Sequence, residues 1–271
     1  MAFMIAFGVL FVGFFVSQPC FIRRPMTDEL LQQYRAQGAT KMPMFKDPSE
    51  WAVDQVTNFS YLFVGSNMTS NISHWDVSNG LYFDGMFLGA TKFNHTLLSW
   101  DFSNAETFSR FLEGAVEYNQ SLEIIAPNAV DFSFLLKGAV SYNAPLRVVG
   151  GTANITYEGM LQDAVSFNSE LHVSPLLTAT SVANMFENAS KFNQLLDWTD
   201  LSVSADVSRV LFQADAFEWS LGCWPVNISS CSNASACVNC IPNIPPSDAR
   251  DTTVIITVFV LVAASVFSVV A

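Results

Sequence analysis

The most regular feature of this sequence is a pattern of apolar positions that returns every 24 or 25 residues. Aligned on one alanine, each repeat has apolar residues seven, four and three positions earlier, an aromatic residue three positions later and a leucine seven positions later. The aligned alanines are Ala90, Ala115, Ala139, Ala164, Ala189 and Ala214. A fixed period of this length predicts a solenoid, in which each repeat buries its apolar side against its neighbours.

The apolar positions of one repeat predict two short elements. The spacing i, i+3, i+4 and i+7, as in residues 83–90, places four side chains on one face of an α-helix of about two turns. Gly, Asp or Asn precedes five of the six alanines, and these types accept the left-handed conformation that ends a helix. After the leucine the period becomes two, as at Leu122 and Ile124, which predicts a strand of three or four residues. The expected fold class is an α/β solenoid, a leucine-rich-repeat-like stack of one short helix and one short parallel strand per repeat.

An asparagine follows the aromatic residue in five repeats, at Asn94, Asn119, Asn143, Asn168 and Asn193. We expect these side chains to form a ladder of buried amides, each bonded to the backbone of an adjacent repeat. A simple turn residue is the alternative interpretation.

A second column is predicted to face solvent. In each strand the leucine and the residue two positions later point inward, so the residue between them points outward. This outward column consists of Leu98, Glu123, Arg147, His172 and Asp197. Its chemistry varies while the inward columns stay constant, as in a fixed scaffold that presents a selectable surface. We therefore predict that a ligand binds here, although any exposed column would also vary.

Two runs of the repeat are specific enough to indicate a family. MFLGATKFNHTLLSWDFS, residues 86–103, and MFENASKFNQLLDW, residues 185–198, resemble the BspA-like surface-protein repeat, also called the Mycoplasma lipoprotein-type repeat. The middle repeats depart from that pattern, because they have Ile125, Val149 and Ser174 where Trp100 stands. The resemblance covers roughly residues 51–221. It implies a leucine-rich-repeat-like solenoid displayed outside the cell, with binding or adhesion roles and no catalysis.

The flanking regions divide the chain further. Residues 1–22 begin with sixteen uncharged residues and are interpreted as a signal peptide or a retained signal anchor. Residues 23–50, with a helix expected from Thr27, form a predicted N-terminal cap, and residues 51–222 hold about seven repeats. Residues 241–253 form a Pro-containing linker. Residues 254–271 carry no charge and are predicted to be a transmembrane helix or a GPI-attachment signal, either of which would hold the protein at a membrane.

Four cysteines cluster directly after the repeats, in a predicted C-terminal cap of residues 223–240. They are Cys223, Cys231, Cys237 and Cys240. The Cys237–Cys240 spacing allows a zinc site, but a second matching pair is lacking, so two disulfides in an oxidising compartment are the favoured interpretation. Three connectivities remain open.

Composition narrows the function classes. The chain has 24 acidic and 12 basic residues, a net charge of -12, which disfavours nucleic acid and anionic membranes as partners. The three histidines occupy unrelated repeat positions, and no catalytic or phosphate-binding motif is present. We therefore expect no enzyme, no metal and no cofactor, with a polysaccharide-active solenoid as a remote alternative.

These observations predict an extracellular repeat protein at the plasma membrane that binds a protein or glycan partner, with a structural coat or spacer as the alternative. Sequons for N-glycosylation lie between the two apolar ends. Candidates for modification are Asn67, Asn71, Asn154, Asn188, Asn227 and Asn233. Asn94 and Asn119, although also in sequons, are expected to be modified rarely because the predicted amide ladder would bury them.

Overall fold

The structure is a computed structural model that describes residues 23–37 and 47–218. It is a parallel β-solenoid of about six turns, with each repeat forming one coil. One column of backbone bridges marks the coils, and its members are Asn58, Tyr82, Thr107, Asp131, Thr156, Ser181 and Asp206. We number the coils from these residues: coil 1 is 58–81, coil 2 is 82–106, coil 3 is 107–130, coil 4 is 131–155, coil 5 is 156–180, coil 6 is 181–205, and coil 7 starts at 206.

Regular secondary structure is sparse in the described part of the chain. Before coil 1 come strand β1 (Arg24–Pro25), helix α1 (Asp28–Gln37), a 3-10 turn (Pro48–Glu50) and strand β2 (Trp51–Ala52). Within the coils lie β3 (Leu122–Ile125), β4 (Leu146–Val149), β5 (Ile155–Thr156), β6 (Leu171–Ser174) and β7 (Ala179–Ser181). The sheets β1-β2, β3-β4-β6 and β5-β7 are all parallel. The predicted parallel strand after the leucine is confirmed in coils 3 to 5.

The predicted helix in each repeat is wrong, because residues 83–90 and their equivalents form two tandem turns. In coil 2 the Met86 amide donates to the Phe83 carbonyl at 3.2 Å, and the Ala90 amide to the Phe87 carbonyl at 2.9 Å. The third residue of each turn has a positive φ, as type II turns require. Consecutive turns of this kind bring a side chain inward every three or four residues. The apolar spacing therefore matches that of a helix although none forms.

The amides between these turn bonds explain why a helix is not formed. In coil 2 the amides of residues 83, 85, 87 and 89 donate to the carbonyls of residues 107, 109, 111 and 113 in coil 3, at 2.6–3.2 Å. The same four bonds recur at every one of the six interfaces from coil 1 to coil 7, always from one coil to the next. These amides are thus committed to the neighbouring coil and are not available to close helical turns.

We call the stacked tandem turns, with their bonds between coils, the turn ladder. Two columns of residues with positive φ, the left-handed backbone conformation, run along it. One column lies directly before the alanines and comprises Gly65, Gly89, Gly114, Gly138, Asp163, Asn188 and Gln213, so the left-handed conformation predicted there is confirmed. The other column lies four residues earlier in each coil and comprises Tyr61, Gly85, Arg110, Phe134, Gly159, Asn184 and Arg209. Side chains other than glycine pay about 1–2 kcal/mol in this region. The bonds between coils hold them there.

The core consists of side chains stacked from coil to coil. One aromatic column, Phe59, Phe83, Phe108, Phe132 and Tyr157, has ring centroids 5.1–5.6 Å apart. A second, Phe93, Tyr118, Tyr142, Phe167, Phe192 and Phe217, has spacings of 5.7–5.9 Å. The alanine on which the repeats align is buried in coils 2 to 7, at 0–3% exposure.

Helix α1 covers the start of the solenoid with polar side chains. The Thr27 hydroxyl accepts the Leu30 amide at 3.3 Å, as an N-cap does. The Asp28 carboxylate accepts the amides of Thr57 and Asn58, both at 2.9 Å, and Arg35 donates to the Asn58 carbonyl at 2.6 Å. Burial alone would raise the pKa of Asp28, but these hydrogen bonds and the Arg35 charge lower it below its ordinary value. The two side chains replace the carbonyl and amide of a preceding coil.

Candidate binding face

The strands β3, β4 and β6 present one outward residue each at the centre of the solenoid. Glu123 pairs in register with Arg147, and Arg147 with His172. All three are exposed, while Ile124 and its equivalents Val148 and Val173 are buried beneath them. Strand alternation therefore positions the three polar side chains in a row across adjacent coils, at the strand spacing of about 4.8 Å.

The charges in this row are paired at the surface. Arg147 Nη1 lies 2.8 Å from Glu123 Oε1, and the two side chains are 44% and 46% exposed. The His172 ring lies 3.4 Å from the Ser174 hydroxyl. An exposed pair of this kind contributes little to stability, about 0–1 kcal/mol. Its side chains stay accessible to a partner.

The column continues beyond the sheet, but with a different backbone. Leu98 in coil 2 is 55% exposed and Asp197 in coil 6 is also exposed, as predicted from the period. Neither residue lies in a strand: the Trp100 amide closes a turn on the Leu97 carbonyl at 3.0 Å around Leu98. The outward column therefore has a flat central part in coils 3 to 5 and ends that lie on loops.

The asparagine ladder exists, but the prediction that it is buried is wrong. The side-chain carbonyl oxygens of Asn94, Asn119, Asn143 and Asn168 accept the backbone amide of the next asparagine in the series, at 2.7–3.0 Å, and Asn193 accepts the Glu218 amide at 3.1 Å. The first four side chains are exposed and Asn193 is half-buried. The reason is that the preceding aromatic residue points into the core, so the asparagine after it must point outward.

A shallow cleft of about 420 Å³ lies on the outer surface of coils 1 and 2. Its lining includes Ser73, His74, Asp76, Ser99 and Asp101, which sequence reasoning did not group because they come from two repeats. Two of these side chains contact backbone carbonyls. Ser99 donates to the Ser73 carbonyl, and His74 Nε2 lies 3.0 Å from the Ser49 carbonyl. Hydrogen bonds from the Ser78 side chain and amide lower the pKa of Asp76. Within this cleft the structure records no hydrogen bond between a serine and a histidine side chain. No group of three acidic, His or Cys residues suited to a metal occurs in the described ranges.

The sequon asparagines differ in accessibility. Asn67, Asn71 and Asn154 are exposed. Asn188 is half-buried, and its side-chain nitrogen, the atom that would carry a glycan, donates to Asp163 Oδ1 at 2.7 Å. Asn94 and Asn119 are exposed, which removes the reason for expecting rare modification there.

Several predicted features lie outside the described residues. They are the apolar segment 1–22, the glycosylation candidates Asn227 and Asn233, the disulfide candidates Cys223, Cys231, Cys237 and Cys240, and the segments 241–253 and 254–271. In residues 23–37 and 47–218 no helix has the length and apolar character needed to cross a bilayer.

Comparison with known proteins identifies the repeats. A family model described as "Mycoplasma protein of unknown function, DUF285" matches residues 32–149 and again residues 126–224. Together the two matches span more than half of the chain and include all of the described coils. Searches of curated proteins and of solved structures return no match.

Proposed function

This chain belongs to the DUF285 repeat family, and on that premise we propose that it is a membrane-held protein of the cell surface that binds a protein or glycan partner. The repeats would lie outside the cell, and the outward column Leu98, Glu123, Arg147, His172 and Asp197 would contact the partner.

The observation that supports this proposal is the contrast between neighbouring columns of the same strands. The inward residues beside Glu123, Arg147 and His172 are Leu, Ile or Val in every strand, whereas the outward residues are an acid, a base and an imidazole. Stability requires only that outward residues be compatible with solvent. The scaffold can therefore change its surface chemistry without changing its core.

The central row offers hydrogen-bonding groups on a flat surface. Arg147 uses one nitrogen on Glu123, and a guanidinium has five N–H donors, so most of its donors are available to a partner. Ile125, beside Glu123, is also exposed and adds apolar area. A polar row bordered by an apolar side chain is typical of recognition surfaces.

The test is a binding assay on the full-length purified protein, using intact cells, matrix proteins and glycan arrays as probes. The parent protein should bind one of these saturably. The double variant Glu123→Ala/Arg147→Ala should then bind at least about tenfold more weakly, a loss of about 1.4 kcal/mol.

The chain offers a matched control. Lys92 and Glu117 form another exposed ion pair between adjacent coils, but outside the outward column. Lys92→Ala/Glu117→Ala should leave binding unchanged. An equal loss in both double variants, or no loss in either, would contradict the assignment of the column.

A structural coat or spacer is the second candidate function. It is supported by the same stack of coils, whose hydrogen bonds and core contacts involve no ligand. It predicts that the parent protein binds none of the probes saturably, so the first step of the assay separates the two functions.

A further inference from the structure

We propose that the partner of the central strands is a second copy of this chain, docked face to face with its coils in the opposite order. The inference rests on the proposed function, because it names the protein partner of the same outward column. The surface involved is formed by the outward residues of β3, β4 and β6, and we call it the flat face. It comprises Glu123, Ile125, Arg147, Val149, His172 and Ser174.

The flat face carries two columns side by side. Residues two positions apart in a strand point to the same side, so each strand contributes one residue to each column. The first column is polar and exposed in all three strands. The second is apolar in β3 and β4, where Ile125 is 48% exposed and Val149 is half-buried. A docked partner therefore has to match both a column of charges and a column of apolar side chains.

The two columns are complementary to themselves under one twofold axis. An axis that lies in the interface, parallel to the strands and midway between β3 and β4, places β3 of one copy opposite β4 of the other. Glu123 of each copy then faces Arg147 of the other, and Ile125 faces Val149. Both columns meet a suitable residue twice, as an interface between identical surfaces requires.

Charge excludes the neighbouring registers. An axis centred on β4 places Arg147 opposite itself, and an axis centred on β3 places Glu123 opposite itself. An axis between β4 and β6 places Glu123 opposite Asp197, which is also acidic. Like charges that face each other oppose association. With the axis between β3 and β4, by contrast, Leu98 faces His172 and no two like charges are opposed.

The ion pair within one chain prepares this arrangement. Arg147 Nη1 already lies 2.8 Å from Glu123 Oε1 of the same chain. Two copies would bring these four side chains together as a ring of alternating charges, in which each group has an opposite charge on both sides. Such a ring fixes the register more than the affinity, because charged groups lose water when they are covered. The apolar column supplies the area that association buries.

The size of the flat face determines how tightly two copies associate. Three strands of four residues, at about 3.3 Å per residue and about 4.8 Å per strand, give it an area of about 190 Å². A stable complex buries about 800 Å² on each partner. The net charge of -12 on each copy adds repulsion. One pair of molecules therefore associates weakly, and many copies held on one surface have to act together.

The test uses beads that carry the full-length protein at high density, attached through a C-terminal tag, in salt of about 0.15 M, where distant charges are screened. Parent beads should aggregate, as measured by light scattering. Beads with Glu123→Arg alone, or with Arg147→Glu alone, should aggregate at least about tenfold less, because like charges then face each other twice. An equal mixture of the two variant beads should aggregate nearly as well as the parent, because a face with two positive charges meets one with two negative charges.

The matched control reverses the exposed ion pair outside the flat face. Beads with Lys92→Glu and beads with Glu117→Lys should each aggregate as the parent does. Dispersed parent beads would overturn the inference. A mixture of the two flat-face variants that stays dispersed while the parent aggregates would overturn it as well, since another face or register then joins the copies. Aggregation of that mixture without aggregation of the parent would show charge attraction alone and have the same consequence.

The outcomes separate this inference from the proposed function. Parent beads that stay dispersed, with a parent protein that binds cells, matrix proteins or glycans through the outward column, would refute self-association and leave the proposed function intact. A parent that binds neither these probes nor its own copies would refute both. Aggregation that follows the predicted pattern of the charge variants identifies the chain itself as a partner.

Discussion

Coils 1 and 2 and coils 3 to 5 join to their neighbours in different ways after the leucine position. In coil 2 the chain turns, and the Trp100 indole nitrogen donates to the Ile72 carbonyl of coil 1 at 3.2 Å. The Trp75 indole does the same to the Pro48 carbonyl at 3.0 Å. In coils 3 to 5 the chain is extended, and backbone bonds of β3, β4 and β6 replace these side-chain bonds. After the leucine position, therefore, side-chain hydrogen bonds connect coils 1 and 2 to the preceding part of the chain, whereas backbone hydrogen bonds connect coils 3 to 5.

This difference changes which side of the chain a residue faces. Trp100 and Ile125 both lie three residues after the leucine, yet Trp100 is 6% exposed and Ile125 is 48% exposed. A turn brings this position inward, whereas strand alternation directs it outward. The local path of the backbone, and not the repeat period, therefore decides what the position contributes. Among the coils that the structure describes, the flat outward face lies in coils 3 to 5, which lack the tryptophan.

The first prediction concerns this position directly. Trp100→Ala removes a buried ring that stacks on Trp75, with ring centroids 6.0 Å apart, and should lower the free energy of unfolding by about 3–5 kcal/mol. Ile125→Ala should change it by less than about 1 kcal/mol, since the side chain is half-exposed. Urea unfolding monitored by circular dichroism measures both. Similar losses would mean that the two coil types do not differ at this position.

The second prediction compares the inward and outward columns. Leu146→Ala should cost about 2–5 kcal/mol, because Leu146 is buried in the middle of the core. Leu98→Ala should cost less than about 0.5 kcal/mol, because Leu98 is exposed. Comparable shifts of the urea midpoint would contradict the assignment of these columns.

The third prediction separates the indole hydrogen bond from the ring. Trp100→Phe keeps an aromatic ring but removes the indole donor to the Ile72 carbonyl. The expected cost is about 0.5–1.5 kcal/mol, because this carbonyl still accepts the Trp75 amide. Trp75→Phe should cost a similar amount through the Pro48 carbonyl. If both variants unfold at the parent's denaturant concentration, the indole bonds do not replace the strand bonds.

The fourth prediction concerns the turn ladder, which both coil types contain. Gly89 in coil 2 and Gly114 in coil 3 have φ values of +66° and +69°, and a Cβ at either would meet its nearest neighbours at 3.5 Å or more. Gly89→Ala and Gly114→Ala should therefore each cost about 1–2 kcal/mol through backbone strain alone. Thermal or urea unfolding should give equal losses. Clearly unequal losses would mean that the turn ladder is not the common part of the repeat.

The period of the sequence was sufficient to predict the core. Phe83, Ala90, Phe93 and Leu97 are all buried, since any structure that repeats every 24 or 25 residues stacks equivalent positions. The helix could not be distinguished from tandem turns by apolar spacing. A usable signal was the pair Gly85 and Gly89, because two glycines four residues apart disfavour a short helix and favour two left-handed turns.

The candidate site was predictable only where the strand alternates. Glu123, Arg147 and His172 face outward as expected, because a strand has a period of two. The turn around Leu98 was not foreseen, since the Trp100 indole bond beside it joins residues 28 positions apart. The contact between Asp28 and Thr57 was equally inaccessible, because no local pattern links residues 29 positions apart.

The common direction of the turn-ladder bonds gives the ladder an electrical polarity, although a separate column of amides, at residues 106, 130, 156 and 206, donates in the opposite direction. A β-sheet alternates its peptide dipoles, but four columns of dipoles here add along the axis, as they do in an α-helix. The carbonyl end of these columns is negative, and there Arg35 donates to the Asn58 carbonyl while Asp28 accepts two amides. The amide end at coil 7 is positive. This end therefore favours electron-rich groups, and a carboxylate introduced there by substitution should be tolerated better than an ammonium.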